Sequence, residues 1–131
     1  MMKEIFEIKE IFKAKRVRIY QAWLDSEEHT KMTGGVAECS AKVDGYFSAW
    51  DGYIAGKNVQ LIENKKIVQK WRTTEFAAND EDSLVTIVLK EVENGTALVL
   101  THSNIPDGQT QYKQGWKDHY FEPMKIYFNN L

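Results

Sequence analysis

The sequence predicts an α+β fold in which an antiparallel sheet grips a single C-terminal helix. Three observations carry that prediction. From residue 36 to residue 103 the chain consists of short apolar-rich runs separated by Asp-Gly, Asn-Lys and Asn-Gly turns, the punctuation of strands. Within this region Asp51-Gly-Tyr-Ile-Ala-Gly56, continuing to Ile67-Val-Gln-Lys-Trp-Arg72, spaces its glycines where a backbone bends or passes close to a neighbour. Beyond Pro106-Asp107-Gly108 the aromatic residues recur at intervals of three to four, the period of a helix. Strands bent by glycine and covered by one aromatic-rich helix make a cupped sheet, and a cupped sheet can hold a ligand.

Each element has its own signal. Residues 4–14 interleave Ile5, Phe6, Ile8, Ile11 and Phe12 with Glu and Lys, an imperfect alternation that favours a strand. Over 16–24 the period changes: Val17, Tyr20 and Leu24 fall on one face of a short helix. Asp25 followed by Glu28 resembles a capping box and starts a second short helical turn, which Gly34-Gly35 stops. Strands are expected over 36–43, 46–50, 53–62 and 67–74, joined by Asp44-Gly45, Asp51-Gly52 and the polar turn Glu63-Asn64-Lys65-Lys66. Residues 84–92 and 96–103 form the clearest hairpin, turned by Glu93-Asn94-Gly95. Val85, Ile87 and Leu89 share one face of its first arm, and Leu98, Leu100 and His102 share one face of its second. Residues 109–131 read as one long helix with Tyr112, Trp116, Tyr120, Met124 and Tyr127 in a wide stripe, kinked near 119–123 by Pro123.

Size and composition bound the function. The 131 residues read as one domain, 1–131, long enough to bury roughly two-thirds of the unfolded surface. Net charge is −2 with the charges dispersed, so no basic stripe points to nucleic acid. The longest apolar run, 84–89, still contains Thr86 and falls far short of the roughly 20 residues of a membrane span. The N-terminus lacks the uninterrupted apolar core of a signal peptide, and the lone Cys39 has no partner for an internal disulfide. The expectation is a soluble cytoplasmic protein without a cofactor.

The glycine-bent tract, Asp82-Ser-Leu-Val-Thr86, Gly95-Thr-Ala-Leu-Val-Leu-Thr-His102 and Gly115-Trp116 together resemble the ATPase-activator domain of the heat-shock-protein-90 chaperone. Ala22-Trp23-Leu24-Asp25 with Glu27 and Glu28 looks like that family's first helix, and the resemblance runs from about Ile8 to Phe128. The family belongs to the helix-grip superfamily, which also holds START lipid-transfer domains and polyketide cyclases. The resemblance implies a curved sheet of six to seven strands around a long C-terminal helix, two short helices after the first strand, and a cavity between sheet and helix. It also implies a partner, a chaperone of the heat-shock-protein-90 class. In eukaryotic activators a separate N-terminal domain makes much of the chaperone contact, and 131 residues leave no room for it.

No catalytic motif competes with the cavity. His119 and Glu122 stand at i, i+3 on the long helix, but no further ligand completes a metal set, and a solvated helix face explains them. Cys39 reads as a small buried hydrophobe and His29 as part of a polar turn. Asp44, Asp51 and Asp107 each precede a turn glycine, which accounts for them without carboxylate catalysis. The first hypothesis is therefore a non-enzymatic domain binding a hydrophobic small molecule or lipid. Val85, Ile87, Leu89, Leu98 and Leu100 form the floor of its cavity, Trp71, Trp116 and Tyr120 the wall, and His102 the polar anchor. Phe47, Ile54, Gln69 and Tyr112 complete the candidate lining. A second hypothesis is a stress-related co-chaperone docking through an outward patch of Val88, Val99 and Trp50. A third, a cyclase-type enzyme, rests on His102 with Tyr120 as an acid–base pair.

Overall fold

The computed structural model describes residues 4–129. The chain runs β1 (Glu4–Phe12), α1 (Arg16–Leu24), α2 (Ser26–Thr33), β2 (Tyr46–Ala49), β3 (Ile54–Ile62), β4 (Lys66–Thr73), β5 (Ser83–Val92), β6 (Gly95–Ile105) and α3 (Tyr112–Trp116). A π-helical turn (Lys117–Phe121) then leads into α4 (Glu122–Asn129). The strands make one antiparallel, curved sheet in the order β1-β6-β5-β4-β3-β2, so α1 and α2 carry the chain from one edge to the other.

Local chemistry sets the ends of α2. The Asp25 carboxylate accepts from the Glu28 amide at 2.9 Å. At the other end Gly34 adopts φ 88° and returns its amide to the Thr30 carbonyl. The Glu28 carboxylate does not close the box. It is held by Arg18 and by the Tyr127 hydroxyl, which ties α1, α2 and α4 together.

Alternation sets the sheet. Ser83, Val85, Ile87 and Leu89 are all buried, and their register places Val85 beside His102, Ile87 beside Leu100 and Leu89 beside Leu98. The expected floor is thus one continuous apolar surface, part of a core that also takes in Phe12, Phe121, Met124 and Phe128. The motif residues earn their places structurally. A Cβ on Gly95 would lie 2.1 Å from the Phe12 carbonyl oxygen. Asp82 holds Arg72 at 2.8 Å, and Arg72 also donates to the carbonyls of Asp80 and Ala77.

Two expectations are corrected. Residues 36–43 are not a strand; only Glu38 bridges to Ser48. Side chains have taken several of the remaining backbone groups of this segment. Thr30 accepts from the Ala37 amide, Ser26 from that of Cys39, and Asn58 donates to the carbonyls of Ser40 and Lys42. The C-terminal helix, expected over 109–131 with a kink near 119–123, begins at Tyr112, and the disturbance is a π turn over Lys117–Phe121 in which the Glu122 amide reaches the Lys117 carbonyl; residues 130 and 131 lie outside the described residues. Pro123 has no amide to donate and directly follows the π turn, where the helical hydrogen-bond ladder is already displaced. The π turn also has a packing reason. Side chains four apart advance by about 40° per turn on an α-helix, so a stripe through Tyr112, Trp116, Tyr120, Met124 and Phe128 would wind off the sheet. One extra residue in the turn resets it, and both Tyr120 and Phe121 are buried.

Candidate functional site

A cleft of about 630 Å³ opens between the β3–β4 end of the sheet and the start of the C-terminal helical segment. Ile54 and Trp71 contribute from the strands, Trp50 and Tyr53 from the turn before β3, and residues from Gln111 to Tyr120 from the helical side. Its wall is an aromatic array. Trp116 lies 5.6 Å from Trp71 and 4.7 Å from Tyr120, centroid to centroid, and Trp71 meets Tyr112 edge-on at 5.1 Å. At Gly115 the wall is missing: an added Cβ there would meet nothing within 4 Å. The glycine before Trp116 therefore leaves space and is not needed for close packing.

The turn residues before β3 are where alternation fails. Trp50 and Asp51 take φ 51° and 61°, followed by Gly52 at 88°. This left-handed turn swings the Trp50 ring to the concave side. There it fills the place a Cβ on Gly35 would occupy and meets His119 edge-on at 5.6 Å. Trp50 is accordingly not part of an outward patch with Val88 and Val99, which face each other across β5 and β6 on the convex side. Among the described residues its indole nitrogen is enclosed without a hydrogen-bonding partner.

Behind the aromatic wall lie two saturated polar networks. The Trp116 indole donates to His102 Nδ1 at 3.0 Å, so Nε2 carries the proton and donates to Ser83 Oγ at 2.8 Å, which in turn donates to the Trp71 carbonyl. His102 is fully buried, and that burial holds its pKa down at about 3, so the ring is neutral. In the second network His29 Nδ1 donates to the Trp23 carbonyl at 2.8 Å and Nε2 accepts from the Tyr120 hydroxyl at 3.0 Å. Burial lowers the His29 pKa against the opposing effect of the Trp23 carbonyl, and burial also raises that of Tyr120. His29 does not lie in a polar turn. It is a buried residue of α2, and its isolated position in a polar sequence offered no periodic signal by which to find it.

The candidate residues divide cleanly. Ile54, Trp71, Tyr112, Trp116 and Tyr120 line the cleft. Val85, Ile87, Leu89, Leu98 and Leu100 lie in the packed core, and Phe47 is buried beside Gly56. Gln69 is taken up internally, accepting from the Trp23 indole and donating to Asn58. His102 touches the ring of Trp116 but does not line the open space, and it is not bonded to Tyr120. Sequence reasoning did not place Tyr53, Gln111, Gln114, Gly115, Asp118 and His119 on the lining. They occupy the first turns of the helical segment and its facing loop, which become neighbours only in three dimensions. Among the described residues no three His, Cys, Asp or Glu side chains gather as a metal site requires, and no helix is long and apolar enough to cross a membrane. The Cys39 thiol is pushed up to about 12 by burial and so is poorly nucleophilic.

The model of the family described as Activator of Hsp90 ATPase homolog 1-like protein matches residues 13–129. The Activator of 90 kDa heat shock protein ATPase homolog 1 of Homo sapiens is 32% identical over 124 residues, covering 92% of this chain and 36% of that protein. An uncharacterized protein of Schizosaccharomyces pombe is 28% identical over 118 residues, covering 89% and 35%. The chain thus spans about a third of the length of the curated relatives it matches. A crystal structure described as an HSP90 activator from Plasmodium falciparum superposes with a TM-score of 0.87 at 30% identity, covering 98% of this chain and 97% of that one.

Proposed function

The chain belongs to the Activator of Hsp90 ATPase homolog 1-like family, and from that premise we propose that it is a non-enzymatic helix-grip domain taking a small, largely apolar ligand into the Trp71–Trp116 cleft. The observation that carries this reading is the open space in front of Gly115, within a cleft of a size that holds small molecules. Aromatic faces would contribute most of the affinity through apolar burial, at about 25 cal/mol per Å². Tyr53, Gln111, Gln114 and Asp118 at the mouth would orient polar ends of the ligand. The saturated networks behind the wall favour binding over chemistry. His102 is engaged on both nitrogens, and the Tyr120 hydroxyl donates its hydrogen bond to His29, which burial holds neutral. In this reading the chain acts as a single cytoplasmic unit.

The decisive comparison is between the native chain and Gly115→Leu, titrated with fatty acids and planar aromatic compounds while tryptophan fluorescence is followed. The native chain should saturate with at least one class. The variant should fold and bind at least ten-fold more weakly, because the added side chain enters free space. No saturable response from the native chain, or equal affinity in the variant, would sink this reading.

A second reading, docking to a chaperone of the heat-shock-protein-90 class, is favoured by the near end-to-end match to the Plasmodium falciparum activator. It predicts a complex in pull-down and a raised chaperone ATPase rate on adding this chain. Absence of both would remove it while leaving the cleft reading untouched.

A further inference from the structure

We propose that the chain pairs with a second copy of itself along β1, continuing the sheet across a two-fold axis at Ile8. The two edges of the sheet are differently finished. At one, β2 is met by the segment preceding it, where Glu38 and Ser48 exchange backbone hydrogen bonds of 3.0 and 2.8 Å. At the other, β1 is nine residues long and, among the described strands, pairs with β6 alone. A long edge of this kind is a template for another strand.

The side chains on β1 say which strand. Ile5, Glu7, Lys9 and Ile11 alternate onto the convex face, with Ile5 and Ile11 exposed by 68% and 55%. An antiparallel copy centred on Ile8 sets Ile5 opposite Ile11 of the second copy and Glu7 opposite Lys9 of the second copy, each twice by symmetry. On the concave face Ile8 meets its own equivalent, and half-buried Phe6 meets the aliphatic stem of Glu10. Neighbouring registers fail. A centre on Glu7 opposes two glutamates and sets Ile5 against Lys9, and a centre on Lys9 opposes two lysines and sets Ile11 against Glu7. An unrelated extended segment would not call for a pattern that is complementary to itself when reversed. A second copy does.

Sedimentation equilibrium of the full chain over a wide concentration range, with Glu7→Lys, Lys9→Glu and the double swap, tests this. The native chain should show a reversible monomer–dimer equilibrium. Each single swap, turning both ion pairs into repulsions, should weaken it about ten-fold. The double swap should restore it, and mixing the two single variants should yield a heterodimer. A chain that stays monomeric throughout, or a dimer indifferent to the swaps, would overturn the proposal. Should a variant fold poorly by circular dichroism, hydrogen exchange of the native chain decides. The β1 amides must gain protection with concentration, and unchanged exchange rules the pairing out.

Discussion

At the scale of single residues, the buried histidines illustrate how a polar group is made compatible with a core. His102 is enclosed completely yet unstrained, because Trp116 donates to one nitrogen and Ser83 accepts from the other. The arrangement has a pH signature with a definite sign. Folding lowers the His102 pKa from 6.5 to about 3, so the unfolded chain binds the proton and the folded chain does not. Stability is therefore fully present above pH 6.5 and is lost as the pH falls from there toward 3. Urea unfolding at pH 7 and pH 5 should differ by about 2 kcal/mol on this account, with His29 adding in the same direction. In His102→Gln the slope should flatten by about one proton. An unchanged slope would mean that the folded state accommodates the charged ring. Glycines give a second contrast at this scale. Gly56 has Lys70 carbonyl oxygen 1.9 Å and Phe47 ring carbon 2.6 Å from where a Cβ would stand, so Gly56→Ala should cost about 2–3 kcal/mol. Gly115 has nothing there, and Gly115→Ala should stabilise the chain by about 0.5–1 kcal/mol through helix propensity alone. Thermal or urea unfolding of the two variants should move in opposite directions.

At the scale of elements, the regular parts of the chain were legible and the irregular parts were not. α1 spans the residues expected, and α2 begins at Asp25's cap and ends at Gly34, because caps are local chemistry that a few adjacent residues specify. The β5–β6 hairpin was equally plain, since Asn94-Gly95 and clean alternation leave one register. Residues 36–43 looked like a strand, yet several of their backbone groups are taken by the side chains of Thr30, Ser26 and Asn58, all outside the segment. No window on 36–43 contains that information. The π turn was half visible. Pro123 announced a disturbance, whereas its form follows from keeping Trp116, Tyr120 and Met124 on one sheet over four turns. Trp50 is the sharpest case, because three successive positive φ values reverse the side a strand residue would have faced.

At the scale of the whole molecule, the sheet and the C-terminal segment divide the labour. Core residues from β5 and β6 close one end, while the β3–β4 end stays open to the cleft. A ligand that fills this cleft stabilises the folded state in proportion to its occupancy. At a hundred-fold excess over its dissociation constant the gain should be about 2.7 kcal/mol. Thermal unfolding should show that shift for the native chain and lose it in Gly115→Leu, whatever the ligand's identity. A shift of equal size in both chains would place binding elsewhere.

The sequence by itself determined the fold class, the family and the inward-facing set on β5 and β6, because periodicity, turn chemistry and caps act over a few residues. Only the tertiary structure decided which aromatic residues face open space and which are packed. Trp71, Trp116 and Tyr120 look alike in sequence to Phe47 and Phe121, and a void is a property of what fails to approach from elsewhere in the chain. The same holds for His29 and His102, which burial keeps neutral and whose hydrogen-bond partners lie up to 91 residues away. Burial and long-range hydrogen bonding set both, and neither is written in any local window.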